Sequence, residues 1–161
     1  MGTLARRWSG WLFACMALCC TAIVPVHAEP QPKAKLVFIP GDQALQAMVT
    51  AVREARRDRA LAGLQFQVLP QALLQDSDIQ RLAGARVVVA RHMVGQARAP
   101  MTGMFQQLKA GGAKLHGAGS NAGVSDKLGL TEDAALTAYL EYGGADNLLQ
   151  MIRFIAQRDL W

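Results

Sequence analysis

The residues of this chain best suited to chemistry are two histidines, His92 and His116, and Met93 beside the first. Imidazole is a strong ligand for divalent transition ions such as Co²⁺ or Zn²⁺, and it also ligates a metal already held in a tetrapyrrole. A thioether next to it suits a soft metal. Asp42 follows the first apolar run and is placed to line the same region. The candidate cofactor-binding set is therefore Asp42, His92, Met93 and His116, with His92 and His116 as the metal ligands. A histidine on a loop is also a common polar surface group, and that plainer reading stands beside the metal one. No catalytic set accompanies them. Ser120 and Ser125 are not expected to act as nucleophiles, no His-x-x-x-His or Asp-x-Asp spacing occurs, and Pro40-Gly41-Asp42 is too short a turn to cradle a pyrophosphate. The backbone amides of Gly117-Ala118-Gly119-Ser120-Asn121 can hold an anion or simply lead into a helix.

The leader limits where such a site works. Arg6 and Arg7 precede a run from Trp8 to Val26 without a charged residue, and Val26-His27-Ala28 offers small or modest side chains at a cleavage site. This pattern predicts a secretory signal over residues 1–28, a polar proline-rich linker over 29–34, and a mature protein in the periplasm or secreted. An uncleaved signal is the one expected route to a membrane. Cys15, Cys19 and Cys20 all fall in the signal, so the mature chain has neither a disulfide framework nor a thiolate metal site. A hydrophobic content of 52% leaves stability to a packed core. Loss of Arg6 and Arg7 lowers the formal net charge from +5 to +3. The remaining arginine cluster, Arg53, Arg56, Arg57 and Arg59, is interleaved with Glu54 and Asp58 and reads as a solvated helix face. Nucleic acid is not an expected partner.

Strands and helices alternate over residues 35–161, which form one expected domain. Residues 36–39 are a continuous apolar run ended by Pro40-Gly41, as a buried strand should be. Leu45, Met48, Val49, Val52 and Ala55 then recur at helical spacing over 42–61, with Asp42 as N-cap. Residues 64–68 alternate, 86–90 are apolar on both faces, and 113–116 are half polar. Helices are expected from Asp76 or Ser77 to Leu82, and over 101–110, 131–140 and 145–158. Alternation of this kind gives a parallel sheet with right-handed crossovers. Apolar strands belong in the centre and mixed ones at the edges, which gives a four-stranded sheet in the flavodoxin-like order 2-1-3-4. Ligands of such sheets bind outside the carboxyl ends of the strands, where the order reverses. That rule draws His92 and His116 toward one edge.

One segment is more distinctive. Tyr139-Leu140-Glu141-Tyr142-Gly143-Gly144-Ala145-Asp146-Asn147-Leu148 resembles a segment near the amino terminus of the cobaltochelatase large subunit and its magnesium-chelatase relatives. Arg86-Val87-Val88-Val89-Ala90-Arg91 is similar to an apolar strand of that family. The resemblance implies a link to tetrapyrroles and cobalamin biosynthesis, with chelatase-like partner proteins that hydrolyse nucleotide. It carries over Gly143, Gly144 and Asn147 as a structural motif: a tight turn permitted by two glycines, with Asp146 or Asn147 at the following helix start. Three features depart from the family. The chain is far shorter than such a subunit, it carries an export signal, and His92-Met93-Val94-Gly95 replaces an expected Gly-Gly turn. Metal insertion itself is therefore not carried over.

The expectation is an exported, non-catalytic module that binds a tetrapyrrole or metal, or docks a chelatase-like partner. The alternatives are the first domain of a split or truncated chelatase-like enzyme, active only in complex, and an interaction module without a small ligand.

Overall fold

The computed structural model describes residues 34–75, 77–91, 99–119 and 122–161. The leader, His92 and Met93 lie outside the described residues. A central parallel sheet carries five strands in the order β2-β1-β3-β4-β5. They are β1 (Lys35–Ile39), β2 (Gln65–Val68), β3 (Ala85–Ala90), β4 (Lys114–Gly117) and β5 (Thr131–Glu132). The helices are α1 (Asp42–Ala55), α2 (Asp78–Leu82), α3 (Ala99–Ala110), α4 (Ala122–Leu128), α5 (Ala134–Tyr142) and α6 (Ala145–Ile155), and a π-helical turn (Ala156–Leu160) ends the chain. Among the described residues no helix is long and apolar enough to cross a membrane.

The first four strands stand in the order that their polarity predicts. β1 and β3 pair through Leu36–Val87, Val37–Val88, Phe38–Val89 and Ile39–Ala90. All eight of these side chains are at most 2% exposed. Each large one stabilises the fold by about 1.5–3 kcal/mol when fully buried, and only a strand covered on both faces can collect that gain without alternating. Leu36, Phe38, Val87 and Val89 pack beneath α1, α5 and α6, with Met48, Val52, Leu136, Leu148 and Ile152. Val37, Ile39, Val88 and Ala90 pack on the opposite face with Leu82, Met104, Phe105, Leu115 and Leu128. The result is three layers, helix on sheet on helix.

Four local expectations are corrected. A fifth strand, β5, extends the sheet: residues 131–132 pair with His116 and Gly117 instead of opening a helix. The helix starts at Ala134 because Asp133 caps it, accepting from the Ala135 and Leu136 amides at 3.0 and 3.1 Å. A helix over Ala122–Leu128, absent from the sequence reading, fills the connection before β5. The first helix begins rather than caps at Asp42, with Gly41 as N-cap, and it stops at Ala55. Asp58 then starts a short 3-10 turn by accepting from the Ala60 amide at 2.9 Å, and the polar run 56–59 has no core to face.

The double glycine forms the turn between α5 and α6. Gly143 (φ 64°, ψ −161°) closes α5 and Gly144 (φ 75°, ψ 146°) opens α6, both in a region that is nearly glycine-only. Asn147 secures the turn from the far side, donating its amide to the Tyr139 carbonyl at 2.7 Å. It therefore caps the end of α5 from within α6.

Candidate functional site

Two places hold the polar groups of interest. The first is the carboxyl edge of the sheet. β1 ends there in Pro40-Gly41, β2 in Leu69-Pro70-Gln71, and β3 in Arg91. The Gln71 amide donates to the Pro40 carbonyl at 3.3 Å and the Arg91 amide to the Ile39 carbonyl at 3.0 Å, which ties the three exits together. Asp42 sits exposed at the start of α1 on this edge. The Arg91 guanidinium donates to the Leu140 carbonyl at 3.3 Å and so holds the end of α5 beside the same edge. The chain then enters residues 92–98, so the expected pairing of His92 with His116, and the part given to Met93, fall outside the described residues.

Gln71 is the feature that sequence reasoning missed. It is only 7% exposed, and its side-chain amide nitrogen is buried with no hydrogen-bond partner among the described residues. A buried donor left unpaired costs about 1–3 kcal/mol. Its other amide atom lies against the turn after β1: a Cβ at Gly41 would stand 4.0 Å from the Gln71 oxygen. The only sequence clue was a glutamine directly after Pro70 at a strand exit. Two large apolar side chains stand out in the connections at this edge, Leu73 after β2 (70% exposed) and Tyr142 at the end of α5 (87% exposed).

The second place is His116. It lies within β4, opposite Val89 and Thr131, not beyond the strand end. The residue after it has to be glycine, since a Cβ at Gly117 would come 2.6 Å from the Ser125 hydroxyl, itself fully buried and bonded to Glu132. The His116 ring is met by the chain terminus and by the cap of α5. Nε2 is 3.1 Å from an Asp159 carboxylate oxygen and 3.3 Å from Arg158 Nη2, and Nδ1 is 3.6 Å from an Asp133 oxygen. Arg158 bridges the two carboxylates, at 2.6 Å to Asp133 and 2.8 Å to Asp159, and stacks 4.8 Å above the Phe154 ring. Lys114 adds a further contact to Asp159 at 3.2 Å.

Electrostatics follow from this packing. Burial is the largest influence on His116 and holds its pKa below the ordinary imidazole value; Asp159 opposes this, Arg158 adds to it, and Asp133 opposes it. Burial raises the Asp133 and Asp159 carboxyls, but the Leu136 amide and Arg158 for the first, and Arg158 and Lys114 for the second, outweigh it and leave both below the usual carboxylate range. A neutral imidazole has one N–H. A proton on Nε2 serves Asp159 and leaves Nδ1 buried without a partner. A proton on Nδ1 faces Asp133 and lets Arg158 donate to Nε2. Among the described residues no group of three or more His, Cys, Asp or Glu is arranged to hold a metal ion.

The fold class is thus a three-layer α/β domain with a flavodoxin-like parallel order. No family model matches the chain. No curated protein matches its sequence. Among solved structures, the chain is similar to a novel cobalamin-binding protein from Desulfitobacterium hafniense DCB-2, with a TM-score of 0.43 and 15% identity over 75% of this chain. The chain spans 58% of the length of that protein.

Proposed function

We propose that this chain is an exported, non-catalytic binding module whose carboxyl sheet edge receives a tetrapyrrole, metallated or metal-free. The observation that carries the reading is Gln71, a buried carboxamide whose side-chain N–H is unpaired among the described residues, at the exit of β2 beside the end of β1 and across β1 from the strand-order reversal between β1 and β3. Buried donors are rarely left unpaired unless a ligand or water completes them, and the reversal point is where parallel sheets of this order take ligands. The surroundings fit a flat, amphipathic ring. Leu73 and Tyr142 offer exposed apolar surface. Arg91 offers a cation for carboxylates at a ring's rim. His92 and Met93, next in sequence, supply ligands for a central metal. His116 belongs to the ionic cluster at the chain end and positions the terminal turn. The chelatase resemblance supports a tetrapyrrole over a nucleotide, and the missing pyrophosphate turn agrees.

Titration of the purified protein with haem, a cobalamin precursor, Co²⁺ and Zn²⁺, followed by absorbance, tests this. A saturable spectral change with a ring, weakened in Gln71→Leu and in Tyr142→Ala, is the expected result. Response to the free ions alone would replace the tetrapyrrole by a simple metal site. No response to any of the four would leave a protein-docking module that uses the exposed Leu73 and Tyr142.

A further inference from the structure

A different surface lies at the opposite end of the sheet. Among the described residues β2 pairs only with β1, so one of its sides is an open edge. Alternate residues of a parallel strand turn their N–H and C=O to opposite sides. Gln65 N donates to the Ala34 carbonyl at 2.9 Å and Leu69 N to the Phe38 carbonyl at 2.9 Å. Gln65, Gln67 and Leu69 thus face β1, and Phe66 and Val68 face outward. Along this edge runs an open groove of about 420 Å³, lined by Lys35, Arg56, Leu64, Gln65, Phe66 and Gln67.

Both charged groups of the groove are cations, and among the described residues both hydrogen-bond only to backbone. Lys35 donates to the Arg81 carbonyl and, at 3.4 Å, to the Ala83 carbonyl; Arg56 donates to the outward Phe66 carbonyl at 3.1 Å. A carbonyl satisfies a donor without neutralising its charge. Three other arginines differ: Arg57 pairs with Glu54, Arg81 with Asp78 and Arg153 with Asp58. Burial, with Arg81 second, pulls the Lys35 pKa down, as expected for a cation that lacks a counter-ion. Open edges in native sheets are usually guarded, and Arg56 is the guard here. It yields the Phe66 carbonyl most readily to a partner that offers its guanidinium a carboxylate.

We propose that this edge docks an extended acidic segment of a partner protein, which adds a strand to β2 and sets a carboxylate against Arg56, in a groove whose other charged lining residue is Lys35. Main-chain bonds at Phe66 and Val68 supply the strand pairing, and the two cations supply the selection for acidic sequence. The proposal is independent of the carboxyl-edge ligand, since Lys35 begins β1 and Arg56 follows α1 at the amino end of the sheet.

The test uses a fluorescein-labelled peptide of alternating Val and Glu, read by fluorescence anisotropy. Saturable binding is expected, weakened by added salt. The Val/Lys counterpart should not bind. N-methylation at alternate residues keeps the charge but blocks strand addition, and should weaken binding at least tenfold, about 1.4 kcal/mol. Gln65→Glu and Gln67→Glu each place a carboxylate in the groove at a strand position outside the core; either should weaken binding at least about tenfold with an unchanged circular dichroism spectrum. The proposal is overturned if the Val/Glu peptide does not bind, if Val/Lys binds as well, or if the N-methylated peptide binds like the unmodified one. It is also overturned if neither glutamate variant weakens binding, or if inorganic phosphate at equal concentration displaces the peptide.

Discussion

The His116 cluster and the Gln71 corner each contain a buried polar atom without a hydrogen bond, and they resolve that situation differently. Around His116, two carboxylates, a guanidinium and an ammonium lie within 4 Å of one another or of the ring, and their formal charges cancel. The bare nitrogen there follows from a neutral imidazole having one proton for two acceptors. At Gln71 the group without a partner among the described residues is a side-chain donor with no tautomer to shift. The first arrangement is closed and joins β4, α5 and the chain end. The second is incomplete, and it sits at the exit of β2 beside the end of β1. Buried polarity marks a candidate binding site only where the protein has left it unfinished.

Helix α5 connects the two regions. Its cap, Asp133, belongs to the His116 cluster, and its Leu140 carbonyl takes Arg91 at the carboxyl edge. Disturbing its far end should have the largest effect. Gly143→Val forces a β-branched residue to φ 64° and should destabilise the fold by about 3 kcal/mol. The site has open space for a Cβ, so the cost comes from the backbone. Gly143→Ala should be almost as harmful in a urea melt; a benign alanine would show that the turn relaxes.

Removing the closing charge of the His116 cluster comes next. Asp159→Ala leaves Arg158 and Lys114 without that carboxylate. Both retain solvent access, so the loss should be about 2 kcal/mol, below that of a fully buried pair. If thermal unfolding is unchanged, the terminal turn is not part of the cooperative unit.

Gln71→Leu should act in the opposite direction. It removes an unpaired donor while keeping most of the volume, and should stabilise by about 1 kcal/mol. It should also weaken tetrapyrrole binding. Destabilisation together with normal binding would place Gln71 with His116, as a structural group.

The smallest effect is that of pH. The folded-state pKa of His116 lies below its ordinary value of 6.5, so the unfolded chain binds the proton more readily. The stability from the neutral ring is fully present above about pH 6.5 and is lost as pH falls through and below it. One group gives a slope under about 1.4 kcal/mol per pH unit. Asp133 and Asp159, also lowered, act in the same direction at more acidic pH, below the carboxylate value of 3.8. Urea midpoints from pH 8 to pH 5 should fall in the wild type and stay flatter in His116→Gln; a rise toward acid would mean that the two carboxylates, not burial, govern the ring.

The sequence by itself determined the layered parallel fold. Continuous apolar runs at 36–39 and 86–90 must be covered on both faces, and mixed runs at 64–68 and 113–116 must stand outside them. It also determined the Gly143–Gly144 turn, because only glycine holds those backbone angles. β5 was hidden because two residues, Thr131 and Glu132, carry no period and gain their partners only from His116 and Gly117. α4 is one short segment whose helix is settled by Leu128 reaching the core. The sites depended most on tertiary structure. The sequence placed His116 near an edge by counting residues. Its real surroundings, Asp133, Arg158 and Asp159, lie 17 to 43 residues away in the chain and meet it only because α6 lies along the sheet and returns the terminus to β4. Gln71 looks like any polar turn residue until three strand exits close around it. A side chain's type fixes which bonds it can make. Whether its partners arrive is decided by packing, which no local pattern records.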